Sequence, residues 1–96
     1  MKDNILRGKL LHLLKTVYPD GIDHQTILSI LYPYFKDDAI DASLEYLTGK
    51  EYIEKKEQPH LYIKQEIFKW YKLRPKGIDL IEGNIAVDPG ILIQRG

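Results

Sequence analysis

The sequence of 96 residues contains no cysteine and carries no excess charge of either sign. Without cysteine, a disulfide scaffold, a thiolate zinc site and a cysteine nucleophile are all excluded, and the cytoplasm is the expected compartment. Because 14 basic residues balance 14 acidic ones, any affinity for nucleic acid must come from a local basic patch. No apolar run approaches the roughly 20 residues of a membrane span, so neither an anchor nor a signal peptide is expected.

Signatures of catalysis and of cofactor binding are also missing. The sequence has no P-loop, no GxGxxG and no nucleophile elbow. Its three histidines, His12, His24 and His60, lack the three- or four-residue spacing of helical metal ligands. We therefore expect a protein that is not an enzyme and that uses no cofactor and no metal ion.

The first third of the chain has helical periodicity. Leucines recur at helical spacing between Leu6 and Leu14, which predicts a first helix over about residues 3–17. Asp23 is a candidate N-cap for a short second helix over about 24–32, which the following proline should end.

A third helix is predicted over about residues 38–48. Asp37 or Asp38 could cap its start, and Gly49 is the expected C-terminal stop. Apolar side chains at helical spacing form its inward face. The predicted core of the whole domain comprises Leu6, Leu10, Leu13, Leu14, Ile22, Ile27, Leu31, Ile40, Leu44, Leu47, Ile53, Tyr71, Leu73 and Ile81.

After the third helix the hydrophobic period changes from helix to strand. A strand opens at Tyr52 and becomes charged at 54–57, a turn is predicted at 58–60, and residues 67–74 alternate like a second strand. A last short helix is predicted over 75–83, with proline in its first turn. Leu61-Tyr62-Ile63 could add a short middle strand.

Three helices followed by a β-hairpin is the order of a winged helix. The pattern I-x3-L-x2-L-x4-Y-I from Ile40 to Ile53 resembles the third helix and first wing strand of that family, and Y-x-L-R-P-K-G at 71–77 resembles its exit from the wing. The ending YKLRPKGIDLIEG, followed by VDPGI, is similar to small winged-helix proteins of Mu-like phages and prophages. The resemblance implies a single α+β winged-helix domain over residues 1–83, with an apolar tail or arm at 84–96.

Winged helices in general bind DNA, with the third helix in the major groove and the wing on the backbone or minor groove. Many others are protein-interaction modules, so the resemblance leaves both functions open. The leading interpretation is a DNA-associated, transcription-regulator-like protein that contacts DNA weakly through a basic wing. The alternative is a protein-interaction or dimerisation module that binds no DNA.

The third helix has an acidic face where a DNA-reading helix would be basic. Asp38, Asp41 and Glu45 share its outward side, and no Arg, Lys, Asn or Gln lies between Asp37 and Gly49. These three carboxylates are therefore candidates for docking a protein with a basic surface. Helix capping and dipole stabilisation are an alternative explanation for the aspartates of the first turn.

The hairpin segment is basic, with a net charge of +4 over residues 50–76 against −5 over 19–49. The candidate DNA-binding residues in it are Lys55, Lys56, Lys64, Lys72 and Arg74. Interleaved glutamates allow an alternative, in which the lysines only keep a solvated hairpin soluble.

Aromatic residues and the tail predict a homodimer. Tyr71 and Leu73 match the positions that the winged-helix family turns inward, and strand alternation then places Phe68 and Trp70 on the outer face with Lys72 and Arg74. The two rings could instead fold over the hairpin's own loop. The candidate dimer contacts are Phe68, Trp70, Ile91, Leu92 and Ile93, because a partner protomer would cover this apolar surface. The tail could also fold back on its own domain.

Overall fold

The computed structural model describes residues 2–59, 62 and 67–94. Within these residues the fold is α+β, as predicted, with four helices and a three-stranded antiparallel sheet. The helices are α1 (Lys2–Val17), α2 (His24–Leu31), α3 (Asp37–Gly49) and α4 (Pro75–Glu82). The strands are β1 (Gly21–Asp23), β2 (Ile53–Pro59) and β3 (Ile67–Leu73). None of the described helices is long and apolar enough to cross a membrane.

The four predicted helices and the two strands of the predicted hairpin are confirmed, with boundaries shifted by one or two residues. The turn predicted at 58–60 was wrong, because Gln58 and Pro59 still belong to β2 and pair with Phe68 and Ile67. The predicted cap of α2 is confirmed as well, since the Asp23 carboxylate accepts hydrogen bonds from the backbone N–H of Thr26 at 3.1 Å and from its hydroxyl at 2.6 Å. The middle strand proposed at 61–63 lies outside the described residues, apart from Tyr62.

Both predicted ends of α3 were wrong in detail. The N-cap is Lys36, which makes no side-chain capping bond, and Asp37 and Asp38 lie inside the first turn. Gly49 also lies inside the helix, while the left-handed backbone conformation falls on Glu51, with φ of 67°. After the helix, the Tyr52 N–H donates a hydrogen bond of 3.1 Å to the Leu47 carbonyl. The left-handed turn therefore lies at Glu51, two residues after the stop that was predicted at Gly49.

The sheet has the order β1-β3-β2, so β3 is its central strand. In the register, Tyr71 of β3 lies between Ile22 of β1 and Lys55 of β2. The sequence did not predict β1, because three residues are too few to show strand alternation. Its pairing connects the segment between α1 and α2 directly to the hairpin.

The core lies between α1, α3 and the inner face of the sheet. The predicted core residues are buried, except Leu13, which is half-buried at its edge. Leu11 is fully buried in addition, because α1 turns a broader apolar face inward than the spacing from Leu6 to Leu14 indicates. Tyr52, Leu80 and Ile91 also belong to the buried core.

The segment after α4 returns to α1. It leaves the helix at Gly83, whose φ of 80° is in the left-handed region that favours glycine. Further along, the Leu92 N–H donates a 3.0 Å hydrogen bond to the Asn4 carbonyl. The Leu92 carbonyl also sits so close to Gly8 that a Cβ at this position would overlap it. Residues 88–94 therefore fold back on their own domain.

Candidate functional site: the hairpin and the acidic helix

The outward face of α3 is acidic over about two turns. Asp38, Asp41 and Glu45 are all exposed, while Ile40 and Leu44 on the opposite side are buried, so the predicted orientation of the helix is confirmed. Like charges four residues apart cost roughly 0.2–0.5 kcal/mol on an isolated helix. This face therefore carries a negative surface that does not stabilise the helix by itself.

Asp41 has a partner that the sequence did not predict. Its Oδ1 lies 2.6 Å from Nε2 of His24, the first residue of α2. The two residues are 17 positions apart and belong to different helices, so no local spacing indicates the pair. Asp38 and Glu45, by contrast, have no hydrogen bond or ion pair within the described part of the chain.

A polar cleft separates the C-terminal half of α3 from the hairpin. Glu45 and Thr48 line the cleft on the helix side, and Lys55 and Lys69 line it on the strand side, together with Tyr71. Burial raises the pKa of Tyr71, and the negative charge of nearby carboxylates raises it further. Carboxylates thus face lysines across the cleft, so the inner lysines are partly neutralised within the chain.

The outer face of the hairpin combines basic and aromatic side chains. Tyr71 and Leu73 are buried, as predicted, while Phe68, Trp70 and Lys72 lie on the other side of β3. Lys56 is the partner of Trp70 in the register, and its Nζ lies 5.4 Å from the centre of the indole ring. This distance is within the range of cation–π attraction.

The Trp70 ring packs within its own sheet. Its indole lies over Gly21 of β1, where a Cβ would overlap the ring nitrogen. This leaves Trp70 half-buried, whereas Phe68 is 43% exposed. The alternative, in which these rings fold over the loop residues Leu61, Tyr62 and Ile63, concerns positions that lie outside the described residues apart from Tyr62.

The predicted DNA-binding residues do not form one patch. Lys56 and Lys72 share the outer face, whereas Lys55 points into the cleft and pairs with Glu57 at 3.2 Å. Arg74 is exposed where β3 ends and α4 begins. The remaining candidate, Lys64, lies outside the described residues.

Glutamates partly neutralise the outer lysines. Nζ of Lys72 lies 3.9 Å from the carboxylate of Glu54, its partner on β2. Exposed ion pairs of this kind contribute only about 0–1 kcal/mol. Lys72 can therefore exchange this partner for a phosphate at small cost.

The predicted dimer contact Ile91 lies inside its own domain. Ile91 is only 6% exposed and belongs to the core of its own chain, because the tail folds back on α1. Ile93 is partly buried against the same core. Leu92 is 43% exposed, so it remains on the surface with Phe68.

A cluster of hydrogen bonds fastens the tail to the domain. The Asp88 carboxylate accepts a hydrogen bond of 2.9 Å from the Tyr52 hydroxyl, one of 3.4 Å from the Tyr46 hydroxyl and one of 2.8 Å from the Gly90 N–H. Arg7 adds a hydrogen bond of 3.0 Å to the Gly90 carbonyl. We call these five residues the tail clasp.

The clasp changes the acidity of two of its members. Burial and the hydrogen bond to Asp88 raise the pKa of Tyr52 to about 12. Partial burial alone would raise the pKa of Asp88, but its hydrogen bonds from Gly90 and Tyr52 lower the pKa overall. The clasp thus favours a neutral tyrosine bound to a charged aspartate.

The described residues contain no group of three or more His, Asp or Glu side chains placed to hold a metal ion. No family model, curated protein or solved structure matches the chain. Its function is therefore inferred from the geometry and charge described above.

Proposed function

We propose that the chain is a winged-helix protein associated with DNA or with transcription regulation, and that it contacts duplex DNA weakly through the outer face of its β2–β3 hairpin. Three helices followed by an antiparallel hairpin support the winged-helix assignment. DNA binding is supported by the composition of the outer face of the hairpin. Lys56, Trp70 and Lys72 lie together on this face, and Arg74 follows at the end of β3.

Charge argues against α3 as the groove-reading element. Base edges in the major groove are read mainly by Arg, Lys, Asn and Gln, and phosphates are neutralised by basic side chains. The exposed face of α3 offers Asp38, Asp41 and Glu45 instead. An unscreened pair of like charges about 4 Å apart costs on the order of 1 kcal/mol even in water, so this helix would be repelled by the duplex.

The number of available cations limits the affinity. Each phosphate that a protein neutralises contributes about −0.9 to the slope of log K against log salt. If Lys56, Lys72 and Arg74 each contact one phosphate, the slope is about −2.7. Binding of this kind is weak at physiological salt and largely independent of sequence.

The test is fluorescence anisotropy with a random-sequence duplex over a range of salt concentrations. Replacing Lys56 and Lys72 by alanine should reduce the slope by about 1.8. The matched control replaces Lys9 and Lys15, two exposed lysines of α1, and should leave the slope unchanged. Equal effects of the two variants would mean that the hairpin is not the contact.

Protein docking through α3 is a second candidate function. It is favoured by Asp38 and Glu45, which are exposed and have no ion-pair partner within the described residues. A basic surface on another protein would supply the missing countercharge. In this case the helix and the hairpin would serve different partners.

A homodimer also remains a proposal, with a smaller set of contacts. Phe68 and Leu92 are the exposed members of the predicted set, while Ile91 is no longer available. Light scattering should give twice the mass of the chain, and replacing Phe68 and Leu92 by serine should halve it. A monomer mass for the unmodified chain at tens of micromolar would exclude the dimer.

A further inference from the structure

The turn between α2 and α3 exposes two tyrosines. Tyr32 and Tyr34 are 73% and 77% exposed, although large apolar rings are usually covered. They line an open groove on the surface together with Pro33, Phe35, Lys36, Asp37 and Asp38. This surface, which we call the 32–38 groove, is distinct from the hairpin.

The backbone holds the 32–38 groove in a defined shape. The N–H groups of Tyr34 and Phe35 both donate to the Leu31 carbonyl, at 2.9 and 3.0 Å. The Phe35 ring packs against the core as a half-buried side chain. Pro33 also restricts the backbone between the two exposed rings. The groove is therefore formed before any partner arrives, which reduces the entropy lost on binding.

The groove carries negative charge without a partner. Asp37 and Asp38 are exposed, and within the described residues their carboxylates make neither a hydrogen bond nor an ion pair. Asp41, one turn further along, is already paired with His24. Two carboxylates without a side-chain partner therefore lie beside two exposed aromatic rings, and they outnumber Lys36, the cation of the groove lining.

We propose that the 32–38 groove docks an arginine side chain from an exposed segment of a partner protein. A guanidinium group is planar, so it can stack on a tyrosine ring while it donates paired hydrogen bonds to a carboxylate. The chain already uses the same stacking internally, since Cζ of Arg7 lies 3.7 Å from the centre of the Tyr46 ring. A lysine ammonium lacks the flat surface and fits less well.

Long-range charge favours the same partner. Residues 19–49, which include the groove, carry a net charge of −5. A negative surface of this kind increases the rate at which a basic segment meets the protein at low salt. The proposal rests on the docking function considered above but places the contact at the α2–α3 turn, not along α3.

The test maps binding on the full chain by two-dimensional amide NMR. The probe is a capped peptide carrying two arginines on a glycine–serine background, and its twin carries lysines instead. We expect shifts concentrated at residues 30–38 with the arginine peptide, and about threefold weaker binding of the lysine twin. No site-specific shift at millimolar arginine peptide would overturn the proposal.

Variants separate stacking from charge. Replacing Tyr32 and Tyr34 by alanine should weaken the arginine peptide about five- to tenfold, while phenylalanine at both positions should preserve binding. Because both side chains are exposed, we expect the double alanine variant to fold normally, and an amide spectrum unchanged away from residues 32–34 would verify this. Unchanged binding to the double alanine variant would contradict the stacking contact.

The matched control for charge removes the same number of carboxylates from the same helix. Asp37→Asn with Asp38→Asn should weaken binding severalfold, whereas Asp41→Asn with Glu45→Gln should change it less than about twofold. The reverse result would support docking along α3 and overturn the groove. If neither double variant weakens binding of the arginine peptide, both the groove and the face of α3 are excluded as the docking surface.

Discussion

The hydroxyl of Tyr52 donates a hydrogen bond of 2.9 Å to Oδ2 of Asp88, joining the start of the hairpin to the tail across 36 positions of sequence. Tyr52 is buried, and the same carboxylate holds the turn from which Ile91 enters the core. The tail is therefore part of the folded domain, and the clasp should be measurable as stability.

Replacing Tyr52 by phenylalanine should lower the free energy of unfolding by about 1.5–3 kcal/mol, because the lost hydrogen bond goes to a charged acceptor. Denaturant unfolding measures this change. Tyr46→Phe is the matched control, since its hydroxyl lies 3.4 Å from the same carboxylate and its ring still stacks on Arg7. Tyr46→Phe should lower the free energy of unfolding by less than half as much as Tyr52→Phe. Equal losses would contradict the conclusion that the Tyr52 hydroxyl makes the stronger hydrogen bond to Asp88.

The clasp should also give stability a distinctive pH dependence. The pKa of Asp88 is lower in the folded protein than its ordinary value of 3.8. The contribution of Asp88 to the free energy of unfolding is therefore complete above pH 3.8, and it is lost as the pH falls through the pKa of the folded protein. The pKa of Tyr52 is raised from 10.0 to about 12, so its contribution is full below pH 10 and is lost as the pH rises toward 12. Unfolding curves of Asp88→Asn and Tyr52→Phe should show a smaller acid and a smaller alkaline component, respectively; Asp23, with a lowered pKa, and Tyr71, with a raised pKa, retain theirs.

Replacing Gly8 by alanine should push the tail away from α1. The new Cβ would overlap the Leu92 carbonyl, and overpacking of this kind costs about 1–3 kcal/mol. Gly49→Ala is the control, because it lies in α3 with no atom near the added Cβ. It should stabilise the protein by about 0.5–1 kcal/mol. Hydrogen exchange at the Leu92 amide should accelerate only in the Gly8 variant.

Neutralising the acidic helix should distinguish the two candidate functions. With Asp38→Asn, Asp41→Asn and Glu45→Gln together, affinity for random duplex should stay within about twofold if the hairpin is the contact. Association with a basic partner protein should slow at low salt. The double variant of Asp38 and Glu45 controls for the lost pairing with His24. Tighter duplex binding after neutralisation would mean that α3 faces the DNA.

Local patterns predicted much of the fold because they act within one element. Helical spacing identified the inward face of α3, and strand alternation assigned Tyr71 and Trp70 to opposite faces of β3. The pairs that shape the surface join distant elements. His24 meets Asp41 across 17 positions, and Tyr52 meets Asp88 across 36, so only the tertiary fold brings them together.

The capping prediction for α3 failed for a different reason. Aspartate is favoured both as an N-cap and in the first turn of a helix, through hydrogen bonding in one case and the helix dipole in the other. Residue type alone does not separate these positions. Asp37 and Asp38 occupy the first turn, so their side chains are left free of the capping bond that Asp23 makes in α2.

The strand order also determines what the sheet can join. With β3 in the centre, β1 and β2 are the two edges, and an open edge is a template for pairing with another chain. One edge is only three residues long, and the other exposes Lys55 and Lys56 and ends at Pro59, which has no N–H to donate. Short length, charge and proline each oppose strand addition. Association of this protein with others should therefore use its side-chain surfaces and leave its backbone edges unpaired.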